Sequence, residues 1–298
     1  MQEQKVYRNQ FSQRQFALDI NDQHIVTSSF DLEQPNNLTL TRFSQQHYNP
    51  FQQLASTPIH FPPTSIKFLP QNPDLILTSS DCLRIYKYEY GHLNLIQSLK
   101  PDFRTQSPVL SISIPKNQPH LCAATSSDGL LALYDLSRNQ PISITAVSEK
   151  SAQDVCEYLG NTFLVSSETG EIRIFDPRAP KSSQLIAQSG KPVVKVRTDC
   201  NNVFFLENDT NYINVTDIRF TSQIEQLKKH DKAVQSISLG ENMFVTTGND
   251  GRCYMWQKSN LKPVMCYICG IGCQNSAING NFTYLLSGSQ LECLRVDQ

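Results

Sequence analysis

The sequence predicts an all-β chain folded as a β-propeller of seven blades, and three observations predict it. Seven short strings of one shape recur along the chain. Each follows an apolar run that ends in small hydroxylated residues. Stretches with helical periodicity are few, whereas alternating and β-branched runs are common.

The recurring string reads apolar–any–apolar–aromatic. It is clear at 83–86 (LRIY), 131–134 (LALY), 172–175 (IRIF) and 253–256 (CYMW), and weaker at 38–41 (LTLT), 213–216 (INVT) and 294–297 (LRVD). Successive copies end 45, 48, 41, 41, 40 and 41 residues apart. That spacing is the one expected of WD repeats, about 40–45 residues each. The strings are expected to be the third strand of each blade.

The second strand is expected upstream of each string, at HIVTSS (24–29), LILTSS (75–80), LCAATSS (121–127), FLVSS (163–167), VFFL (203–206), FVTTG (244–248) and YLLSG (284–288). A shorter alternating run precedes it and supplies the first strand, as in 65–70, 109–115 and 234–239. Turn residues such as Asp128-Gly129 and Asp250-Gly251 separate second from third strands. The seventh repeat stops one residue past its third strand. The segment around Lys5–Arg8 is therefore expected to pair with 291–296 and close the ring, which removes an exposed sheet edge. Residues 1–298 are expected to form one such domain.

Composition narrows the function. The chain has 298 residues, a formal net charge of −1 and only 18% charged residues. A protein that grips a phosphate backbone carries a basic excess or stripe. None is visible, so no direct nucleic-acid partner is expected. The polar N-terminal stretch is no signal peptide, and no apolar run reaches the ~20 residues of a membrane helix. The expectation is a soluble protein of cytoplasm and nucleus with no membrane partner.

The repeat at 230–256 carries a polar set. His230 precedes the first strand, Thr246 lies on the second, Asp250 in the turn and Trp256 on the third. In WD repeats these side chains form one buried network, His to Asp to hydroxyl to indole, which pairs groups that would otherwise cost ~1–3 kcal/mol each. These four residues are read as structural.

The stretch at 62–87 (PPTSIKFLP…LILTSSDCLRIYK), with 28–38, 172–178, 213–219 and the ending at 291–296, resembles the WD-repeat family of the plant transparent testa glabra protein and its animal relative, a cullin-4-associated factor. The resemblance covers nearly the full length. It implies a non-enzymatic scaffold that holds protein kinases of the dual-specificity tyrosine-regulated group, or transcription factors. Asp176-Pro177-Arg178 and Asp217-Ile218-Arg219 follow the third strand in consecutive repeats. They are similar to the Asp-any-Arg signature by which propellers dock onto the adaptor of cullin-4 ubiquitin ligases. A substrate receptor of such a ligase is therefore the alternative reading. The bland alternative is that each arginine pairs with an acid or carbonyl of a neighbouring blade.

No catalytic residues, cofactor or metal are expected. The chain holds no Gly-rich phosphate loop, no H-E-x-x-H and no G-x-S-x-G. Its histidines, at 24, 47, 60, 92, 120 and 230, are dispersed. Cys266, Cys269 and Cys273 have metal-like spacing but lack a second close pair, and their side chains are expected to diverge. Cys122, Cys156, Cys253 and Cys293 sit in strand-like runs and are expected to be buried as small hydrophobes. The innermost strands are expected to offer mainly Ser, Ile and Val, as at Ser111, Ile112 and Ser113, so no carboxylate site is expected in the central channel.

Overall fold

The computed structural model describes residues 5–46, 48–99, 107–138, 140–179, 182–221 and 223–296. Among them are 28 strands in seven four-stranded antiparallel sheets. Strand β1 (Val6–Gln10) comes first and is set aside by the chain until its end. Blade 1 follows, with β2 (Gln15–Ile20), β3 (His24–Ser29), β4 (Asn36–Phe43) and β5 (Phe51–Ile59). Blade 2 holds β6 (Ser65–Leu69), β7 (Asn72–Ser79), β8 (Leu83–Glu89) and β9 (His92–Leu99). Blade 3 has β10 (Val109–Ser113), β11 (Leu121–Ser126), β12 (Leu130–Asp135) and β13 (Pro141–Ala146). Blade 4 has β14 (Ala152–Glu157), β15 (Phe163–Ser167), β16 (Glu171–Phe175) and β17 (Ser183–Gln188). Blade 5 has β18 (Val193–Thr198), β19 (Asn202–Glu207), β20 (Tyr212–Asp217) and β21 (Ile224–Lys228). Blade 6 has β22 (Val234–Leu239), β23 (Met243–Gly248), β24 (Arg252–Gln257) and β25 (Lys262–Ile268). Blade 7 is β26 (Cys273–Asn279), β27 (Phe282–Ser287) and β28 (Gln290–Arg295), completed on the outside by β1.

The chain is thus an all-β, seven-bladed propeller closed by its N-terminal strand. Val6 pairs with Leu294 and Gln10 with Gln290, which fixes the register of the closing strand. First strands of consecutive blades lie side by side round the centre, and β26 meets β2 to complete the circle. Asp297, the last residue of the seventh recurring string, lies outside the described residues; β28 ends at Arg295.

Seven apolar clusters hold the ring, one between each pair of neighbouring blades. This explains why β3 and β15 are buried on both faces. A blade in a ring packs against a neighbour on each side, so its middle strands read as continuous apolar runs and not as alternation. The turns between second and third strands demand glycine in two blades. Gly129 and Gly170 have φ of +78° and +85°, and a Cβ there would lie 2.3 Å from Ser148 O and 2.4 Å from Ser189 O respectively. These close approaches tie each turn to the segment entering the next blade.

Candidate functional site: one face of the ring and its central channel

In each sheet the first and third strands run one way and the second and fourth the other. Loops between third and fourth strands therefore all emerge on one face. Asp176 and Arg178 follow β16, and Asp217 ends β20 with Arg219 just beyond it, so both pairs stand on that face in adjacent blades.

The two pairs are built alike. Arg178 Nε and Nη2 donate to Asp176 Oδ1 and Oδ2 at 2.9 and 2.8 Å, and the Arg178 amide donates to Oδ1 at 3.0 Å. In blade 5 the matching distances are 3.0, 2.6 and 2.9 Å. Each aspartate thus takes a two-pronged guanidinium bond and also closes its own turn. The hydrogen bonds from Arg219 hold the Asp217 carboxyl down at about 2, and those from Arg178 lower Asp176 in the same way. The arginine side chains remain 71% and 62% exposed. The expectation of pairing with a neighbouring blade is not what the geometry gives, because the nearest carboxylate is two residues away in the same turn. Exposed Phe220 lies beside Arg219, whose guanidinium carbon is 5.8 Å from the ring centre.

A third pair in the row escaped the sequence reading. Arg138 lies 3.3 Å from Asp135 in the equivalent loop of blade 3. Here two residues separate acid and base, so the Asp-any-Arg pattern misses it. The signal was the aspartate directly after the third-strand string.

The four polar residues of blade 6 are brought together. His230 Nδ1 lies 3.1 Å from both Asp250 carboxylate oxygens, and Nε2 lies 3.0 Å from Thr246 Oγ1. The Trp256 indole N–H donates to Thr246 Oγ1 at 2.9 Å. The order is therefore acid, imidazole, hydroxyl, indole. It differs from the expected order because Asp250 in the turn is on the far side of the ring from Thr246, with His230 between them. With the Trp256 N–H given to Thr246, the hydroxyl proton goes to His230 Nε2, and Nδ1–H goes to Asp250. Burial lowers the His230 pKa, against the pull of Asp250, and keeps the imidazole neutral.

The central channel corrects another expectation. The first strands carry Asp19, Lys67, Asp154, Lys195 and Arg197 as well as Ser, Ile and Val. Asp19 accepts from Lys67 Nζ and from the Phe68 amide, both at 2.8 Å, which joins blade 1 to blade 2. Asp154 is fully buried and spans three blades, taking Ser111 Oγ at 2.6 Å, the Val196 amide at 2.9 Å and Arg197 Nη1 at 2.6 Å. Burial pushes its pKa up, but Arg197 and Lys195 and these hydrogen bonds outweigh it and the net shift is down. Both carboxylates are spent as cross-blade struts, and neither is free to act as an acid or base.

Of the cysteines singled out, Cys266 is exposed, while Cys269 and Cys273 are buried and share a side-chain hydrogen bond. Those two do not diverge, because the loop between β25 and β26 folds them into the wedge between blades 6 and 7. That bond and burial push the Cys269 thiol up and away from thiolate chemistry. Cys122, Cys253 and Cys293 are buried and Cys156 is half-buried. Among the described residues, no group of three or more His, Cys, Asp or Glu is placed to hold a metal ion. His47 lies outside the described residues.

Comparison with known families gives one match. Residues 221–257 match the WD40 family, described as "WD domain, G-beta repeat". The match runs from β21 to the end of β24 and contains the whole His230–Trp256 network.

Proposed function

From a seven-bladed WD-repeat propeller as premise, we propose that the chain is a non-enzymatic scaffold that holds other proteins on its faces. WD40 propellers generally serve as interaction scaffolds. The observation that carries the reading here is the row of Asp–Arg pairs on one face, with Arg178 and Arg219 in matching two-pronged geometry on consecutive blades. A pre-set guanidinium loses little freedom when a partner's carbonyls or carboxylates reach it, which suits recognition more than catalysis. Among the described residues, Asp19, Lys67, Asp154 and Arg197 of the channel are engaged in struts, and His230 and Asp250 of blade 6 in the buried network.

The resemblance to the transparent testa glabra and cullin-4-associated-factor group makes a protein kinase or a transcription factor the partner of choice, in cytoplasm and nucleus. The repeated Asp-any-Arg geometry also favours a second reading, a substrate receptor whose Arg178 and Arg219 dock on a cullin-4 ligase adaptor. The variant Arg178→Ala, Arg219→Ala separates them. Under the receptor reading the folded variant loses ligase subunits in a pull-down read by mass spectrometry, and keeps the kinase or transcription factor. A variant that folds and keeps every partner refutes docking through the arginines. Recovery of no partner by the unaltered chain refutes the scaffold.

A further inference from the structure

Apolar wedges seal the blades against one another, and Tyr7 of β1 meets Phe43 of β4 with ring centres 5.3 Å apart. Along Asn9–Gln13, however, blades 7 and 1 part to leave an opening. Between the closing strand β1 and the outer strands β4 and β5 lies a cleft of about 380 Å³. That lies within the ~300–1,000 Å³ typical of ligand sites. One wall is the run from Asn9 to Gln13, and the other carries Asn37, Gln53 and Ser56.

The chemistry of the lining is uniform. None of its twelve residues is charged, and seven bear carboxamides. Two hydrogen bonds fix the lining in place. Gln10 Nε2 donates to Ser289 Oγ at 2.6 Å on one wall, and Asn37 Nδ2 donates from the other wall to Gln13 Oε1 at 3.1 Å, bridging the cleft at that point. Gln15 stands apart. It lines the cleft at only 3% exposure, its Nε2 donates to Gln13 O at 3.1 Å, and its Oε1 accepts no hydrogen bond. A buried carbonyl without a donor is disfavoured until one arrives. The neighbouring strand has a vacancy of its own kind. β1 is the last strand of its sheet, as the fourth strand of every other blade is of its own, paired with β28 on one edge and, among the described residues, with no strand on the other.

We infer that the cleft binds an extended, uncharged stretch of a partner polypeptide, which adds to the free edge of β1. A carboxamide both donates and accepts, so a wall of them matches the alternating N–H and C=O groups of an extended backbone. The open edge supplies the ladder, and the amides on β4 and β5 read side chains from across the cleft. Phosphate-bearing ligands are disfavoured, since the lining offers no cation. Phe11 and Phe51 supply the apolar contact. The inference rests on the scaffold reading and deepens it by naming a site and a partner chemistry.

The test pans random dodecapeptides displayed on phage against the full chain. Recovered peptides are then measured by fluorescence anisotropy on the unaltered chain, on Gln53→Trp and on Ser56→Arg. Both substituted side chains are exposed, and Gln53→Trp, unlike Ser56→Arg, leaves the 3.2 Å hydrogen bond between Ser56 and buried Thr39 intact. Each variant is expected to weaken binding roughly tenfold or more, and the bound peptide is expected to slow hydrogen exchange in Asn9–Gln13. The inference is overturned if no peptide is recovered, if both variants bind as tightly as the unaltered chain, or if protection falls elsewhere. A glycan array whose hits are lost in Gln53→Trp would also overturn it, by assigning the cleft to sugars. Failure here is distinguishable from failure of the scaffold reading, which is decided by partner capture with the same full chain.

Discussion

Replacing Thr246 by valine tests the buried network of blade 6 with almost no change of shape. The hydroxyl is the only link between the Trp256 indole and His230 Nε2, at 2.9 and 3.0 Å. Trp256 and His230 are 2% and 3% exposed, so water cannot replace what is lost. Valine leaves one donor and one acceptor buried without partners, at ~1–3 kcal/mol each, or about 2–6 kcal/mol together. That is a large fraction of the ~5–15 kcal/mol by which native chains exceed their unfolded states. The chain has one tryptophan, so its fluorescence reports on this blade alone, while circular dichroism follows all seven. In urea, Thr246→Val is expected to lower the midpoint on both probes with the slope unchanged. Thr246→Ser, which keeps the hydroxyl, is expected to retain most of the stability. A valine variant within ~0.5 kcal/mol of the parent, or a serine variant as damaged as valine, would refute the reasoning.

Three further outcomes follow from the geometry. Gly170→Ala would set a Cβ 2.4 Å from Ser189 O at φ +85°, whereas Gly160, at φ +62°, faces open space. Thermal denaturation should show Gly170→Ala losing about 2 kcal/mol or more and Gly160→Ala about 1 kcal/mol; equal losses would discredit the close-approach argument. Arg8→Ala removes the 2.8 Å partner of Glu292, whose side chain is 2% exposed. Because Arg8 itself is largely exposed, the expected cost is about 1–2 kcal/mol, with faster hydrogen exchange in β1; unchanged exchange there would mean that the pair does not hold the closure. Buried His24 has both ring nitrogens unpartnered, and burial, helped by Arg42, lowers its pKa below the ordinary 6.5. The unfolded chain then binds the proton more readily, so stability is lost as pH falls from about 6.5 through the lower folded value. Melting curves for His24→Leu should fall less steeply over that window than those of the parent, and parallel curves would count against it.

Blade number and the second and third strands were legible because each rests on a local pattern repeated about every 40 residues, and the closing strand because the seventh repeat lacked a fourth strand of its own. The Asp–Arg turns were equally local, with acid and base two residues apart. The channel charges were not legible. Asp154 meets Ser111 from the preceding blade and Arg197 from the following one, and only the ring brings residues over 40 positions apart within 3 Å. The same holds for the cleft beside β1, whose walls come from the closing strand and from blade 1. The middle strands were legible by a different pattern, a short continuous apolar run. Being packed on both faces, they lose the alternation by which a half-exposed strand is recognised. In blade 6 the residues were named correctly but joined in the wrong order, since spacing along the chain does not say which side chain lies between two others.

The central claim is that the face bearing Arg178 and Arg219 meets other proteins, and Phe220 gives the most direct access to it. Its ring is 63% exposed and sits beside Arg219. A photo-crosslinking phenylalanine analogue at 220 replaces one aromatic ring by another and leaves the Asp217–Arg219 turn intact. The same analogue in place of exposed Ile271, in the loop between β25 and β26 on the opposite face, serves as the comparison. On irradiation in cells, position 220 is expected to form covalent adducts with a discrete partner protein, and those adducts should fade when Arg178 and Arg219 are both alanine. Adducts equally abundant at position 271, or none at 220 while partners still co-purify, would contradict the claim and move the interaction to another part of the ring.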